Sequence, residues 1–305
     1  VVANSTTPEQ PYGCLGYSFY ELRRLRTEPY RFIRKLSFFG GMEYTQKSTP
    51  SDGPPVCYYA QGSSRKGVIF LHGDGQNYTA GLDILGLFPD DYTKLGIDRP
   101  GHGRSPMLHG RTIEKECDIL DDILSKEDIK EPILIGHSSG TVIAASYASR
   151  RRAKALVLIN PFFMNPRKLF FGLLSPVVSF FEKKYLDEAR GKHNPDLPYH
   201  MFGNEHSEEE IHRKAFAHTP YETLRQNLGL FEGYDVREEI RHADFPVLVI
   251  YSTKGLPLMN GHVKSVCKGI PNARIEVVDG THNIHILAKK ETEKKIKENM
   301  QFLGI

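Results

Sequence analysis

At 305 residues, with 39% apolar and 25% charged residues, the chain has the make-up of a globular protein whose core needs no covalent staples. Lys+Arg 40 against Asp+Glu 37 leaves +3, too near balance to argue for a nucleic-acid partner. The four cysteines (Cys14, Cys57, Cys117, Cys267) have no CxxC or metal-ligand spacing, so they read as free thiols and no metal is expected.

Residues 1–16 read as an extended tail, without the charged and apolar regions of an intact signal peptide. From Tyr17 to Leu36 the pattern predicts a basic amphipathic helix broken near Pro29. Such a segment can lie on a membrane surface. The preferred reading is a helix packed on the protein with a solvated basic face. No apolar run approaches the ~18 residues that suggest a membrane span. The compartment expectation is cytoplasmic, with secretion left open.

Met42–Ser48 and Val56–Gln61, separated by a Pro- and Gly-rich turn, predict a hairpin. Strands follow at Gly67–Leu71, Lys94–Asp98, Ile133–Ile135, Ala155–Ile159, Val247–Tyr251 and Ile275–Val278. Helices are predicted over Thr112–Ser125 and, with many small residues, Thr141–Ser149. Apolar strands alternating with helices imply an α/β fold with a mostly parallel sheet flanked by helices on both faces. Residues 161–244 break the rhythm: they contain helical patterns and no convincing strand, and read as an all-helical cap inserted between late strands. Their polar part, Asn194–Glu210, reads as loop. The resulting organisation is a tail and basic segment (1–41), a core (42–160 and 245–305) and a cap (161–244).

Gly136-His137-Ser138-Ser139-Gly140 is the strongest chemical signal. A short apolar strand precedes it and a small-residue helix follows, the context of a nucleophile elbow. A sharp turn there exposes the serine hydroxyl, and side chains in place of Gly136 and Gly140 would collide with the neighbouring strand and helix.

Three further motifs stand in order around it: His72-Gly73-Asp74-Gly75, Asp98-Arg99-Pro100-Gly101-His102-Gly103-Arg104-Ser105 and Gly280-Thr281-His282. With the elbow, they give a chain that from about Met42 to Phe302 resembles the α/β-hydrolase superfamily, in its capped branch of esterases, lipases and C–C hydrolases. The resemblance implies Ser138 as nucleophile and His282 as its base, with His285 the competitor. It places the oxyanion-hole N–H groups on Asp74 and Ser139; one such donor contributes about 3–4 kcal/mol of transition-state stabilisation. A carboxylate beside a developing oxyanion would oppose it, so the Asp74 side chain is expected to point away. The DRPGHGRS turn is expected to be structural, with Asp98 and Arg99 tying it to neighbouring backbone.

The third triad member departs from the pattern. Gly255 stands where the family usually presents an acid. Some relatives carry it after the preceding strand, which here is followed by Asn160, so Asn160 is the tentative third member. Asp279 is the remaining alternative.

The leading functional expectation is a serine hydrolase that cleaves a small lipophilic carboxylic ester or lactone through an acyl-enzyme, without a cofactor. Phe162, Phe163, Phe170, Phe171, Phe180 and Phe181 supply apolar material for a pocket as well as for the cap's own core. A C–C bond hydrolase would use the same Ser/His pair. The alternative from another class is a catalytically degenerate relative that serves as a small-molecule receptor, for which Gly255 is the argument.

Overall fold

The computed structural model describes residues 34–37, 43–49, 54–165, 168, 194–203, 205–255 and 257–305. The strands are β1 (Arg34–Ser37), β2 (Glu43–Ser48), β3 (Cys57–Gln61), β4 (Gly67–Leu71), β5 (Thr93–Ile97), β6 (Ile133–His137), β7 (Ala155–Ile159), β8 (Val247–Ser252) and β9 (Ala273–Val278). They form one sheet in the order β1-β2-β3-β5-β4-β6-β7-β8-β9. β1, β2, β3 and β5 pair antiparallel in turn, and every pair from β5 to β9 is parallel.

Every residue of β4 through β8 is buried. Continuous apolar runs such as GVIFL and ALVLI are what a parallel strand covered on both faces requires. The covering helices are α1 (Leu82–Leu85), α2 (Ile113–Lys126), α3 (Ser139–Arg150), α4 (Glu208–Ala217), α5 (Tyr221–Leu230), α6 (Arg237–Ile240), α7 (Pro257–Cys267), α8 (Ile284–Leu287) and α9 (Lys289–Glu298). α2 begins where Thr112 Oγ1 accepts from the Lys115 N–H, with Glu114 and Glu116 in the first turn. α3 is buried continuously from Ser139 to Ala148. Its small residues let it lie that close to the sheet.

One expectation is corrected at the N-terminal side. The end of the segment expected to be helical, Arg34–Ser37, is β1, with Leu36 opposite Tyr44 on β2. The backbone donors and acceptors along β2 need partners on that side, and pairing overrides a local helical pattern. The sheet therefore includes residues before the expected core boundary at 42. Residues 17–33 of that segment lie outside the described residues.

Between β7 and β8 the described residues hold helices α4 to α6, a short 3₁₀ turn at Tyr199–Met201 and one isolated antiparallel bridge, Met164 to Asp235. The stretch expected to be loop is thus partly ordered: the 3₁₀ turn falls inside it, and α4 begins at Glu208, capped by Ser207. The helices of this inserted segment rest on the loops at the C-terminal ends of the strands. Tyr199 Oη donates to Gly75 O at 2.7 Å, and Thr223 Oγ1 donates to Gly101 O at 3.1 Å. Phe170, Phe171, Phe180 and Phe181 lie outside the described residues. None of the helices among the described residues is long and apolar enough to cross a membrane.

β4 has β5 on one side and β6 on the other, so the chain reverses its direction of travel across the sheet there. Ligands of open α/β sheets bind beyond the strand ends at such a reversal. The two glycines of the elbow make that crevice tight. A Cβ on Gly140 would sit 2.1 Å from Leu71 O, and one on Gly136 would sit 2.8 Å from Gly140 O. Gly140→Ala is therefore expected to cost about 3 kcal/mol or more, by overpacking against backbone that cannot retreat. Urea unfolding measures it, and a midpoint equal to that of the wild type would contradict the steric account.

Candidate active site

Ser138 joins β6 to α3 with φ 52 and ψ −123, a backbone conformation that a non-glycine residue adopts only when its surroundings impose it. Those surroundings are on both sides. The Ser138 N–H donates to Ile159 O at 3.0 Å, and Ser138 O accepts from the Thr141 N–H at 2.9 Å. The turn lifts the hydroxyl out of the sheet, where Ser138 Oγ meets His282 Nε2 at 2.8 Å.

His282 follows β9, in the loop before α8. Burial lowers its imidazole from 6.5 to about 4; His212 adds to the fall and Glu208 opposes it. At neutral pH the ring is therefore uncharged and able to accept the Ser138 proton. Its carbonyl is held by Asn160 Nδ2 at 2.7 Å and lies 3.2 Å from His137 Nε2. His285 lies three residues on, its ring tilted against that of His137 with centroids 3.9 Å apart. The structure thus joins Ser138 to His282 and not to its competitor.

The His72–Gly75 loop closes over the elbow. A Cβ on Gly73 would stand 3.1 Å from Ser138 Cβ. The Gly73 N–H donates to Gln76 Oε1 at 3.1 Å, and the Ser139 N–H opens α3, where no preceding turn supplies a carbonyl. The Asp74 carboxylate accepts a short hydrogen bond from Ser139 Oγ, which also receives Arg99 Nη1 at 2.9 Å. Asp74 thus turns toward the buried cation Arg99. Arg99 and Arg111 both grip Glu116, Arg99 Nε at 3.0 Å and Arg111 Nη2 at 2.7 Å. Burial would raise the Glu116 carboxyl, but the two guanidiniums outweigh it and hold it low. This charge group is tied through Ser139 Oγ to the Asp74 side chain.

The DRPGHGRS turn is structural, as expected. Asp98 is buried and accepts from the Tyr78 and Arg104 N–H groups, each at 2.9 Å. His102 is buried in the loop, with Asn227 Nδ2 3.3 Å from its Nε2.

Asn160 requires a correction. It has φ 47, which Asn tolerates, but its side chain does not face the imidazole. Oδ1 accepts from the Ser252 N–H at 2.8 Å and Nδ2 holds the His282 carbonyl. Both ends of the amide are spent on backbone, and no hydrogen bond joins it to the imidazole ring. Asn160 therefore anchors the His282 backbone and is not the third member. Asp279 is exposed and bound to Thr253 Oγ1 at 2.5 Å and Lys254 Nζ at 3.4 Å.

Three residues escaped the sequence reading. Glu208 Oε2 accepts from Thr281 Oγ1 at 2.6 Å and from the Asn283 N–H at 3.1 Å. Its Oε1 accepts from Asn283 Nδ2 at 2.6 Å. Asn283 Oδ1 in turn accepts from Gln76 Nε2 at 2.8 Å. Gln76 and Asn283 were visible as polar residues beside motif residues. Glu208 lies in a segment whose placement over the sheet no local pattern reveals.

A strained serine between a strand and a helix, bonded to a histidine from the loop after the last strand, defines a nucleophile-elbow protein. The chain belongs to the alpha/beta hydrolase family, whose model matches residues 68–292. It is 27% identical over 274 residues to the non-heme chloroperoxidase CPO-A1 of Kitasatospora aureofaciens, covering 84% of this chain and 98% of that one. It is 25% identical over 251 residues to a pimeloyl-[acyl-carrier protein] methyl ester esterase of Aeromonas salmonicida (strain A449), covering 78% and 92%. The fold matches the crystal structure of the enol-lactonase from Burkholderia xenovorans LB400, with TM-score 0.66, 19% identity and coverage of 85% of this chain and 100% of that one.

Proposed function

We propose that this protein is a serine hydrolase that cleaves a small lipophilic carboxylic ester or lactone through an acyl-enzyme. The observation that carries the reading is the 2.8 Å contact between His282 Nε2 and Ser138 Oγ at a strained elbow. His282 takes the hydroxyl proton as Ser138 Oγ attacks the carbonyl carbon, and the Asp74 and Ser139 N–H groups receive the oxygen as it becomes negative. His282 then gives its proton to the departing alkoxide. Water, deprotonated by the same imidazole, attacks the acyl-enzyme and releases the acid. An esterase and an enol-lactonase among the similar proteins support this class of substrate.

One observation favours a second reading, a receptor without turnover: no core carboxylate stands at the Gly255, Asn160 or Asp279 positions against the imidazole. Labelling with a fluorophosphonate separates the two. The expected result is a single adduct on Ser138, read by intact-protein and peptide mass spectrometry, and none in Ser138→Ala. Folded wild type that gains no mass after prolonged incubation sinks the hydrolase reading and supports the receptor. A C–C hydrolase would label equally, and turnover of esters against 1,3-diketones distinguishes it.

A further inference from the structure

We propose that Glu208, carried by the inserted segment, replaces the carboxylate that the core lacks and acts as the positioning residue for His282. The proposal rests on the serine-hydrolase reading for its chemistry, and on contacts of its own for its geometry. Glu208 binds the residues on both sides of the base: Thr281 through its hydroxyl, and Asn283 through both its main-chain N–H and its side-chain amide. The fourth contact, His212 Nε2 at 3.0 Å, comes from the next turn of α4. Two anchors flanking one residue fix that residue's backbone, and with the Asn160 bond to its carbonyl they leave the His282 ring little freedom.

The charge acts in addition to the contacts. The groups facing His282 are His137 from β6, at 5.0 Å between ring centroids, and His212 from α4, at 6.3 Å; His285 of α8 lies tilted against His137 at 3.9 Å. All of these are neutral or cationic. Glu208 is the carboxylate that raises the basicity of His282 against its burial. During attack by Ser138 the imidazole becomes imidazolium, and a negative charge close by lowers the energy of that state.

A structural consequence follows from where Glu208 sits. Asn283 passes the same set of bonds to Gln76, which holds the Gly73 N–H. Docking of α4 therefore orders the base loop and the oxyanion loop together. In the usual arrangement the acid belongs to the core and is present whether or not the inserted segment is seated. Here the charge arrives with the segment.

The test uses the full chain and follows the rate of fluorophosphonate addition to Ser138 from pH 4 to 9 in wild type, Glu208→Gln and Glu208→Asp. Glu208→Gln keeps the size and an acceptor but removes the charge. It is expected to lower the plateau rate by about tenfold to a hundredfold and to move the acidic limb to lower pH, since a less basic imidazole loses its proton more readily. Glu208→Asp keeps the charge one methylene further back and falls between the two. Equal plateaus within twofold and an unshifted limb in Glu208→Gln overturn the proposal. If Glu208→Gln does not fold, a Glu208→Asp profile identical to wild type overturns it alone. NMR titration of the His282 imidazole in Ser138→Ala, with and without Glu208→Gln, reads the same electrostatic effect without chemistry. A wild type that never labels thus sinks the hydrolase reading, while an unshifted titration sinks the role of Glu208.

Discussion

His282→Ala is expected to lower ester turnover by about 10⁴-fold or more, whereas His285→Leu should hold it within about tenfold of wild type. The first loss follows from geometry: His282 Nε2 is the group in contact with Ser138 Oγ, and without it the hydroxyl has no base. A residual rate over water is expected, because the oxyanion amides and substrate binding act without the base. His285 is buried and neither ring nitrogen has a hydrogen-bond partner among the described residues. Removing an unsatisfied polar group while keeping apolar volume is close to neutral for folding. Leucine is the better control than alanine, since it leaves a smaller void beside His137. Turnover of a short-chain nitrophenyl ester measures both variants, with circular dichroism to verify the fold. A His285→Leu loss as deep as that of His282→Ala would show that the base has been assigned to the wrong ring.

The contrast between these two histidines shows what the sequence made legible. Strands that are buried on both faces announce themselves as apolar runs, so β4 to β8 were readable within a residue or two. Ser138 and His282 were readable because the elbow and the loop after β9 demand particular residues at fixed offsets from strand ends. β1 was not, because its conformation is imposed by the pairing needs of β2 rather than by its own residues. Asn160 was found in the right place but given the wrong task. Its φ of 47 sends the side chain to Ser252 and to the His282 carbonyl, a direction that depends on three loops at once. Glu208 lies 74 positions before His282 in the chain and meets its loop only after the inserted segment has folded back over the strand ends. Pairs of that kind leave no trace in local pattern.

The second large effect is on stability in mild acid, and it comes from the same unpatterned interior. His72, His102, His137 and His285 are all fully buried. Burial holds His72 and His285 down at about 3, with Arg99 adding to the first and His282 to the second. Burial likewise keeps His102 and His137 well below 6.5, with His72 and His285 respectively the next contributors. Below pH 6.5 each of these rings takes a proton in the unfolded chain but not in the folded one. Folding stability must then fall as pH falls, by about 1.4 kcal/mol per unit for each group. Asp98 works the other way. Burial raises it to about 7, against the N–H bonds from Arg104 and Tyr78. The folded carboxyl therefore binds a proton below pH 7 that the unfolded one refuses until about 4, which returns about 1.4 kcal/mol per unit. The four rings outnumber Asp98, and His282, lowered by the same burial, adds to them, so the net direction is a loss of stability as the pH falls below 6.5. Thermal unfolding at half-unit steps from pH 7.5 to 5 should show Tm level at the alkaline end, then falling by several degrees per unit. His285→Leu removes one of the four groups and should make the decline visibly shallower. A Tm that stays flat from pH 7 to 5 would mean that these rings are already charged in the folded protein. His282, which shares their surroundings, would then no longer be available as a neutral base.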